Sequence, residues 1–330
     1  MLLFVTFLAA FATNYVLTRV FLNVLRDRAI VALPNQRSMH DGAVPKGGGA
    51  PLILVALAVS VALWPLTFFI AIVMAATVAL AAISWMDDVG KVSKTARFCA
   101  HLGASIACVL AMPGDAVVFQ GVFPLALDRL IAVGALALFI NFYNFMDGID
   151  GIAGVETLAI AAGYVAVTSL AGGDAGLQGL AIAIAGAAAA FLIWNWHPAR
   201  IFLGDVGSIP LGLLMGVLML DLAWRTSLAA ALLLPLYYVA DAGITLLHRL
   251  VKREKIWRAH RDHFYQRAAQ ALDSHEAVVA RVAACNLVLI GAAILSLFYP
   301  LIGFAAGVGA VGVLLFGLAR SARYQASTET

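Results

Sequence analysis

Charge is what this sequence has least of: Asp, Glu, Lys and Arg together make up 12% of its 330 residues, against roughly a quarter in an ordinary soluble domain. No polar stretch is long enough to form a separate soluble domain, so residues 1–330 read as a single integral membrane domain. Cysteine is nearly absent too. Cys99, Cys108 and Cys285 all fall inside apolar runs, without the spacing of metal ligands and away from exterior loops where a disulfide would form. They read as small packing residues. There is no Lys or Arg before Arg19, so the N-terminus lacks the basic start of a signal peptide although Ala10-Phe11-Ala12 resembles a cleavage site; the apolar run continues through Leu25 and reads as a retained first span.

What the chain has in abundance is hydrophobic length: 63% of residues are hydrophobic and the mean hydropathy is +0.96. Runs near the length that crosses a bilayer recur from end to end. They predict an all-α polytopic bundle of about eleven spans, near 2–25, 48–64, 66–85, 96–112, 129–145, 152–170, 177–196, 206–222, 227–247, 277–298 and 301–319. Lys and Arg then orient the bundle. With residue 1 outside, the inward segments hold Arg26, Arg28, Arg37 and Lys46, then Lys91, Lys94 and Arg97, then Arg200. The loop after the ninth span adds Arg249, Lys252, Arg253, Lys255, Arg258, Arg261 and Arg267, and the tail adds Arg320 and Arg323. The outward loops hold only Arg129 and Arg225, beside Asp115, Asp128, Asp174 and Asp221, which read as solvated charges. The N-terminus is therefore expected outside and the C-terminus in the cytoplasm.

The inward side also collects the unusual chemistry. Asp87-Asp88 follows the third span; two adjacent carboxylates at a helix C-terminus repel each other and oppose the helix dipole, an arrangement that calls for a cation nearby. In NFYNFMDGIDGIAG (141–154), Asp147 and Asp150 lie three apart, as do Asn141 and Asn144, among glycines that permit close approach of backbone or ligand. NWHPARIFLGDVGS (195–208) places Asp205 at the start of a span. There it serves equally as a helix cap or as a metal ligand beside backbone open to phosphate, with Phe202 as a ring for base stacking. In AHRDHFYQR (259–267), His260, Arg261 and His263 suit a diphosphate, and no third His or Cys of suitable spacing supports zinc there. PNQRSMHDGAVPKGGG (34–49) offers Arg37, His40 and Lys46 ahead of a glycine run and lacks the Walker A pattern. His101, Glu156 and Asp241, inside spans, are expected to pair within the bundle or lie near its inner edge.

Carboxylates and cations converging on one membrane face suit Mg²⁺, which takes oxygen ligands and bridges protein carboxylate to substrate phosphate. Phosphoryl transfer depends mainly on such positioning and charge stabilisation. An ion-coupled transporter is the rival reading; it predicts polar residues at mid-span and exposure to both sides. No nucleic-acid partner is expected.

With PKGGG, MDD, NFYNFMDGIDGIAG, FLGDVGS and HRDHFYQR in this order, the chain resembles the polyprenyl-phosphate N-acetylhexosamine-1-phosphate transferases of bacterial glycosyltransferase family 4 from about residue 34 to 267. It looks closest to the enzymes that start O-antigen, enterobacterial common antigen or teichoic acid chains, because HRDH stands where the muramoyl-pentapeptide branch has a histidine run. The resemblance implies a multi-pass enzyme of the bacterial inner membrane with its active site facing the cytoplasm. A polyprenyl phosphate such as undecaprenyl phosphate would attack the β-phosphorus of a UDP-N-acetylhexosamine and release UMP. It implies that Asp87 deprotonates or orients the lipid phosphate with Asp88 beside it, and that Asp205 binds Mg²⁺, with Mn²⁺ as a substitute. Asn144, Asp147, Asp150 and Phe202 would line the nucleotide pocket. Lys46, Lys94, His260, Arg261 and His263 would hold diphosphate or sugar. A homodimer would be ordinary for such a protein.

Overall fold

The computed structural model describes residues 1–27, 31–32, 44–90, 92–255 and 260–328. Arg37 and His40 of the first inward loop, with Arg28, Lys91 and Arg258 of the orientation argument, lie outside these. The described chain is a helical bundle: α1 (Leu2–Asp27), α2 (Gly49–Leu63), α3 (Phe68–Val89), α4 (Lys94–Ala111), α5 (Leu125–Phe145), α6 (Ile152–Ala171), α7 (Ala175–Asn195), α8 (Asp205–Arg225), α9 (Leu228–Leu233), α10 (Leu236–Val251), α11 (Phe264–Leu272), α12 (His275–Ser296) and α13 (Pro300–Thr328). Two short strands, β1 (Val31–Ala32) and β2 (Val44–Pro45), pair antiparallel.

Eight of the helices, α1, α3, α5, α6, α7, α8, α12 and α13, are long and apolar enough to cross a membrane, and α2 is a shorter apolar helix. All the expected spans are helical, but the one placed at 227–247 is two helices, broken at Leu234-Pro235. Proline has no N–H for the helical ladder and its ring clashes with the preceding turn. Short polar caps begin several helices: Thr67 accepts from the Ile70 N–H of α3, Ser93 from Ala96 of α4, Asp174 from Leu177 of α7 and Ser274 from Ala277 of α12.

Helix α8 is the axis of the bundle. Almost all of its apolar stretch is buried, and α2, α3, α5, α6 and α9 pack around it. A second layer joins α1 to α7, α7 to α6, α6 to α12, and α12 to α13. Large hydrophobic side chains on α1, α4, α10, α12 and α13 remain exposed, including Phe98, Leu110, Leu247, Leu287 and Val313, as befits a surface solvated by lipid rather than water.

One end of the bundle corrects the reading of its acids as solvated. Asp128 is fully buried and accepts from the backbone N–H groups of Val118 at 3.0 Å and Phe119 at 2.8 Å. Asp221 is buried too; it accepts from Tyr164 Oη at 2.6 Å and Arg225 Nε at 2.7 Å. Arg129 donates to the carbonyls of Val109 and Pro113. Of the four acids, Asp115 alone is exposed; Asp174 is half-buried as the α7 cap. The expectation failed because the 118–119 backbone folds back onto Asp128, while Asp221 lies on α8 and takes donors from Tyr164 on α6 and from Arg225 one turn along its own helix.

Candidate active site

At the other end of the bundle, the PKGGG and FLGDVGS segments are one structural unit. Lys46 pairs with Phe202 as a parallel bridge, Gly47 and Gly48 donate to the Phe202 carbonyl at 3.1 and 2.9 Å, and Gly49 donates to Leu203 at 2.8 Å. The N-termini of α2 and α8 then touch through bare backbone: a Cβ on Gly49 would lie 2.1 Å from the Gly207 Cα. Any side chain would force the two helices apart.

This joint delivers Lys46 and Asp205 to the end of α3. Lys46 Nζ lies 2.6 Å from Asp88 Oδ1 and 3.5 Å from Asp205 Oδ1. Arg97, on α4, lies 2.6 Å from Asp87 Oδ2 and 3.2 Å from Asp205 Oδ2. Asp88 is also the cap that α8 lacks in its own sequence, accepting from the Val206 N–H at 3.1 Å. Gly204, at φ +78°, makes this possible, because a Cβ there would sit 2.9 Å from Asp88 Oδ2. Asp87 accepts from the Val92 N–H at 3.0 Å. The unfavourable placement of two acids at the C-terminus of α3 is thus offset by two cations and a second helix's N-terminus.

Asp147 enters the same electrostatic field from the loop after α5. Burial, then the charge of Asp205, pushes its carboxyl up to about 7; it has no ion-pair partner among the described residues. For Lys46, burial works against the charge, but Asp205 and Asp88 hold the ammonium above its usual range. Asn144, a turn earlier on α5, accepts from Ser208 Oγ at 2.6 Å and so joins the start of α8. Phe202 is half-buried with its backbone in the joint, and Lys94 is exposed at the first position of α4.

Asp150 is committed elsewhere. Its Oδ2 lies 2.7 Å from His197 Nδ1, 3.1 Å from the Ala199 N–H that donates to it, and 3.5 Å from His275 Nδ1. Although burial opposes it, these donors hold the Asp150 carboxyl below its usual range. Asn195 ties the same loop down by accepting from Gly151 N at 2.9 Å and donating to the Ile201 carbonyl at 2.9 Å.

Residues 260–267 of the AHRDHFYQR motif dock beneath the 146–151 loop. Tyr265 Oη donates to the Phe145 carbonyl at 2.9 Å and fills the space a Gly148 side chain would need. Asp241, on α10, caps α11 from across the bundle, accepting from Phe264 N at 3.0 Å and Tyr265 N at 3.1 Å. His263 is buried with Nδ1 3.3 Å from Asp241 Oδ1, and its ring centroid is 5.0 Å from that of His260. The position of His263 is that of a side chain locked into the scaffold. Arg261 is half-buried beside it. His101, Glu156 and Asp241 do pair inside the bundle: His101 with Asn141, Glu156 with Asn286 Nδ2 at 2.7 Å, and Asp241 with Tyr237 as well as α11.

Reading the sequence missed Arg97 as a site residue and counted it only for orientation. Its signal was the short spacing in sequence between α3 and α4, which pack against each other and bring Arg97 to Asp87. Asn195, His197 and His275 were missed without any local signal, since their partners lie 44, 47 and 125 residues away.

Lys46 and Arg97 hold Asp87, Asp88 and Asp205 together, and Asp147 lies in the same electrostatic field; carboxylate oxygens of this kind are the donors a hard cation such as Mg²⁺ takes. Asp87, Asp88 and Asp205 share the two cations Lys46 and Arg97, an excess of one negative charge when all three are ionised, to which Asp147 adds a further carboxyl in the same field.

Residues 70–223 match the family model described as Glycosyl transferase family 4. Over 277 residues the chain is 24% identical to a probable undecaprenyl-phosphate N-acetylglucosaminyl 1-phosphate transferase of Bacillus subtilis, covering 80% of this chain and 76% of that protein. It is 37% identical over 89 residues to a phospho-N-acetylmuramoyl-pentapeptide-transferase of Moorella thermoacetica, covering 27% of this chain and 26% of the relative. A Synechococcus protein of the same description is 43% identical over 65 residues, 19% of this chain and 18% of its own.

Proposed function

We propose, from the chain's membership of the polyprenyl-phosphate sugar-phosphate transferase superfamily, that it transfers an N-acetylhexosamine-1-phosphate from a UDP-sugar to undecaprenyl phosphate. The reaction would open a cell-surface polysaccharide such as O-antigen, at the cytoplasmic face of the inner membrane. The observation that carries this reading is the excess of carboxylate over cation where Lys46, Asp88, Arg97, Asp87 and Asp205 meet. Such a centre suits a divalent cation with a diphosphate.

In this reading a phosphate oxygen of the lipid forms a bond to the β-phosphorus of the donor. The bond from that phosphorus to the bridging oxygen breaks, and UMP leaves with it. Asp87 and Asp88 face the lipid phosphate and hold or take its proton. Lys46 and Arg97, now shared among carboxylates, turn to the phosphate oxygens as these arrive, which frees the carboxylates they neutralise. Asp205 and Asp147 would hold Mg²⁺, which when bound neutralises charge on the diphosphate. Asn144 and Phe202 line the nucleotide side, with Lys94, His260 and Arg261 toward diphosphate and sugar. Asp150 and His263 support the loops that carry them. The transporter reading is not favoured, since the relatives are transferases.

Purified protein with Mg²⁺, undecaprenyl phosphate and a panel of UDP-N-acetylhexosamines tests this through UMP release. UMP should appear only when lipid phosphate, cation and one donor are all present. No release and no UDP-sugar binding in folded protein would overturn the reading.

A further inference from the structure

Asp150, His197 and His275 come from three separate places: the loop after α5, the segment between α7 and α8, and the first residue of α12. Their ligand-capable atoms all lie within 4.8 Å of one another. We propose that they form a second metal site, independent of the transferase reading, that takes a borderline transition-metal ion of the zinc class.

The donor set is two imidazoles and one carboxylate. Nitrogen donors select zinc, cobalt or nickel over magnesium, which prefers oxygen throughout. The two ends of the 146–151 loop would therefore sort metals by ligand type, with oxygen donors around Asp147 and nitrogen donors around Asp150. The spacing fits as well. Two ligands on a tetrahedral zinc, each about 2.1 Å from the ion, stand about 3.4 Å apart, and His275 Nδ1 lies 3.5 Å from Asp150 Oδ2. His197 Nδ1, at 2.7 Å, now occupies hydrogen-bond distance and would have to withdraw by about 0.7 Å on exchanging its proton for a metal. Its side chain is 42% exposed, so it has room to do so and leaves an entry path with a coordination position for water.

Two further contacts behave as supports for ligands. The Ala199 N–H donates to Asp150 Oδ2 at 3.1 Å and orients the carboxylate. The Asp150 N–H lies 3.3 Å from His275 Nδ1 and holds the imidazole against the loop, a contact that a metal taking this nitrogen's lone pair would replace. The ion would pin the loop carrying Asp147 to α12 and to the segment leading into α8, and so fix the geometry beside the reaction centre.

The test uses the full chain in detergent micelles, stripped with chelator and returned to excess Mg²⁺. Titration with Co²⁺ should give the visible absorption of a nitrogen- and oxygen-ligated ion, saturating at one equivalent and displaced by Zn²⁺. His197→Gln and His275→Gln should each weaken Co²⁺ binding by at least about tenfold, while Asp205→Asn should leave it unchanged. His197→Gln alters a half-exposed side chain and so guards against a folding artefact. The proposal is overturned if wild-type protein binds no Co²⁺ or Zn²⁺ under these conditions, or if both histidine variants bind like wild type. It is equally overturned if Asp205→Asn abolishes binding, which would put the ion at the carboxylate centre. None of these readouts depends on transferase activity, so loss of one reading leaves the other standing.

Discussion

The two ends of the bundle both bury carboxylates, but they treat them oppositely. At the end where Asp128 and Asp221 lie, each acid has its own dedicated donors: two backbone N–H groups for Asp128, and a tyrosine with an arginine for Asp221. At the end where α3 meets α8, Lys46 serves both Asp88 and Asp205, Arg97 serves both Asp87 and Asp205, and Asp147 has no cation of its own among the described residues. Satisfied acids hold a structure together, whereas shared cations leave charge for a ligand to complete. Burial alone does not separate structural from functional carboxylates; the ratio of donors to acids does.

Single substitutions at the two ends should break this comparison in opposite ways. Asp205→Asn is expected to lower the rate of UMP release by about 10³, the scale of losing a group that stabilises transition-state charge, while the thermal midpoint holds or rises because carboxylate crowding is relieved. Asp221→Ala should do the reverse: it strands Arg225 and Tyr164 and costs about 3 kcal/mol of stability, with turnover per folded molecule unchanged. Unfolding curves and single-turnover assays on both variants decide this, and an Asp221 variant with normal stability but lost turnover would erase the distinction.

A milder break is Asp128→Asn. One carboxylate oxygen becomes an amide that cannot accept, so one of the Val118 and Phe119 N–H groups loses its partner, at a cost of about 1–2 kcal/mol. UMP release should stay at wild-type level. Its thermal shift should be smaller than that of Asp221→Ala.

The smallest effect sharpens the picture through pH. The Asp147 carboxyl titrates near 7 in the metal-free protein. Below that value a cation must displace a proton, so apparent Mg²⁺ affinity should fall by up to about tenfold per pH unit and level off above it. The sign for folding is opposite. A carboxyl raised from 3.8 to about 7 favours the folded state at low pH, and that contribution is lost as pH rises through this range. Metal-free protein should therefore be less stable at pH 8 than at pH 5 on account of this group, and Asp147→Asn should flatten both dependences. Mg²⁺ titration and melting at several pH values read the two separately.

Much of this architecture was legible because lipid imposes a simple rule: apolar runs of bilayer length become helices, and all the expected runs did. Pro235 carried the signal for the break between α9 and α10, but hydropathy passes smoothly across it. The acids of the site were legible from their spacing with glycine, because Gly204 and Gly207 mark places where backbone must come close. Arg97 was not, since its partners lie on another helix and a basic residue on the inward side already has an explanation. The buried state of Asp128 and Asp221 was hidden for a related reason: a loop acid looks solvated until the donors that cover it are known, and Tyr164 is 57 residues from Asp221. For His263 the chemistry suggested a ligand, and only the capping of α11 by Asp241 revealed how enclosed the ring is.

The glycine joint between α2 and α8 has a mechanical consequence. Where backbone meets backbone at Gly49 and Gly207, no rotamer can change and no side chain can repack to absorb a displacement. The two helices behave there as a welded corner rather than a hinge. The backbones of Lys46 and Asp205, three residues before Gly49 and two before Gly207, inherit that stiffness, while the Lys46 side chain keeps the freedom to turn to a phosphate. The give needed to admit a lipid headgroup on one side and a nucleotide on the other falls to the partners across from the weld: the facing ends of α3 and α4 that carry Asp87 and Arg97, and the loop that carries Asp147.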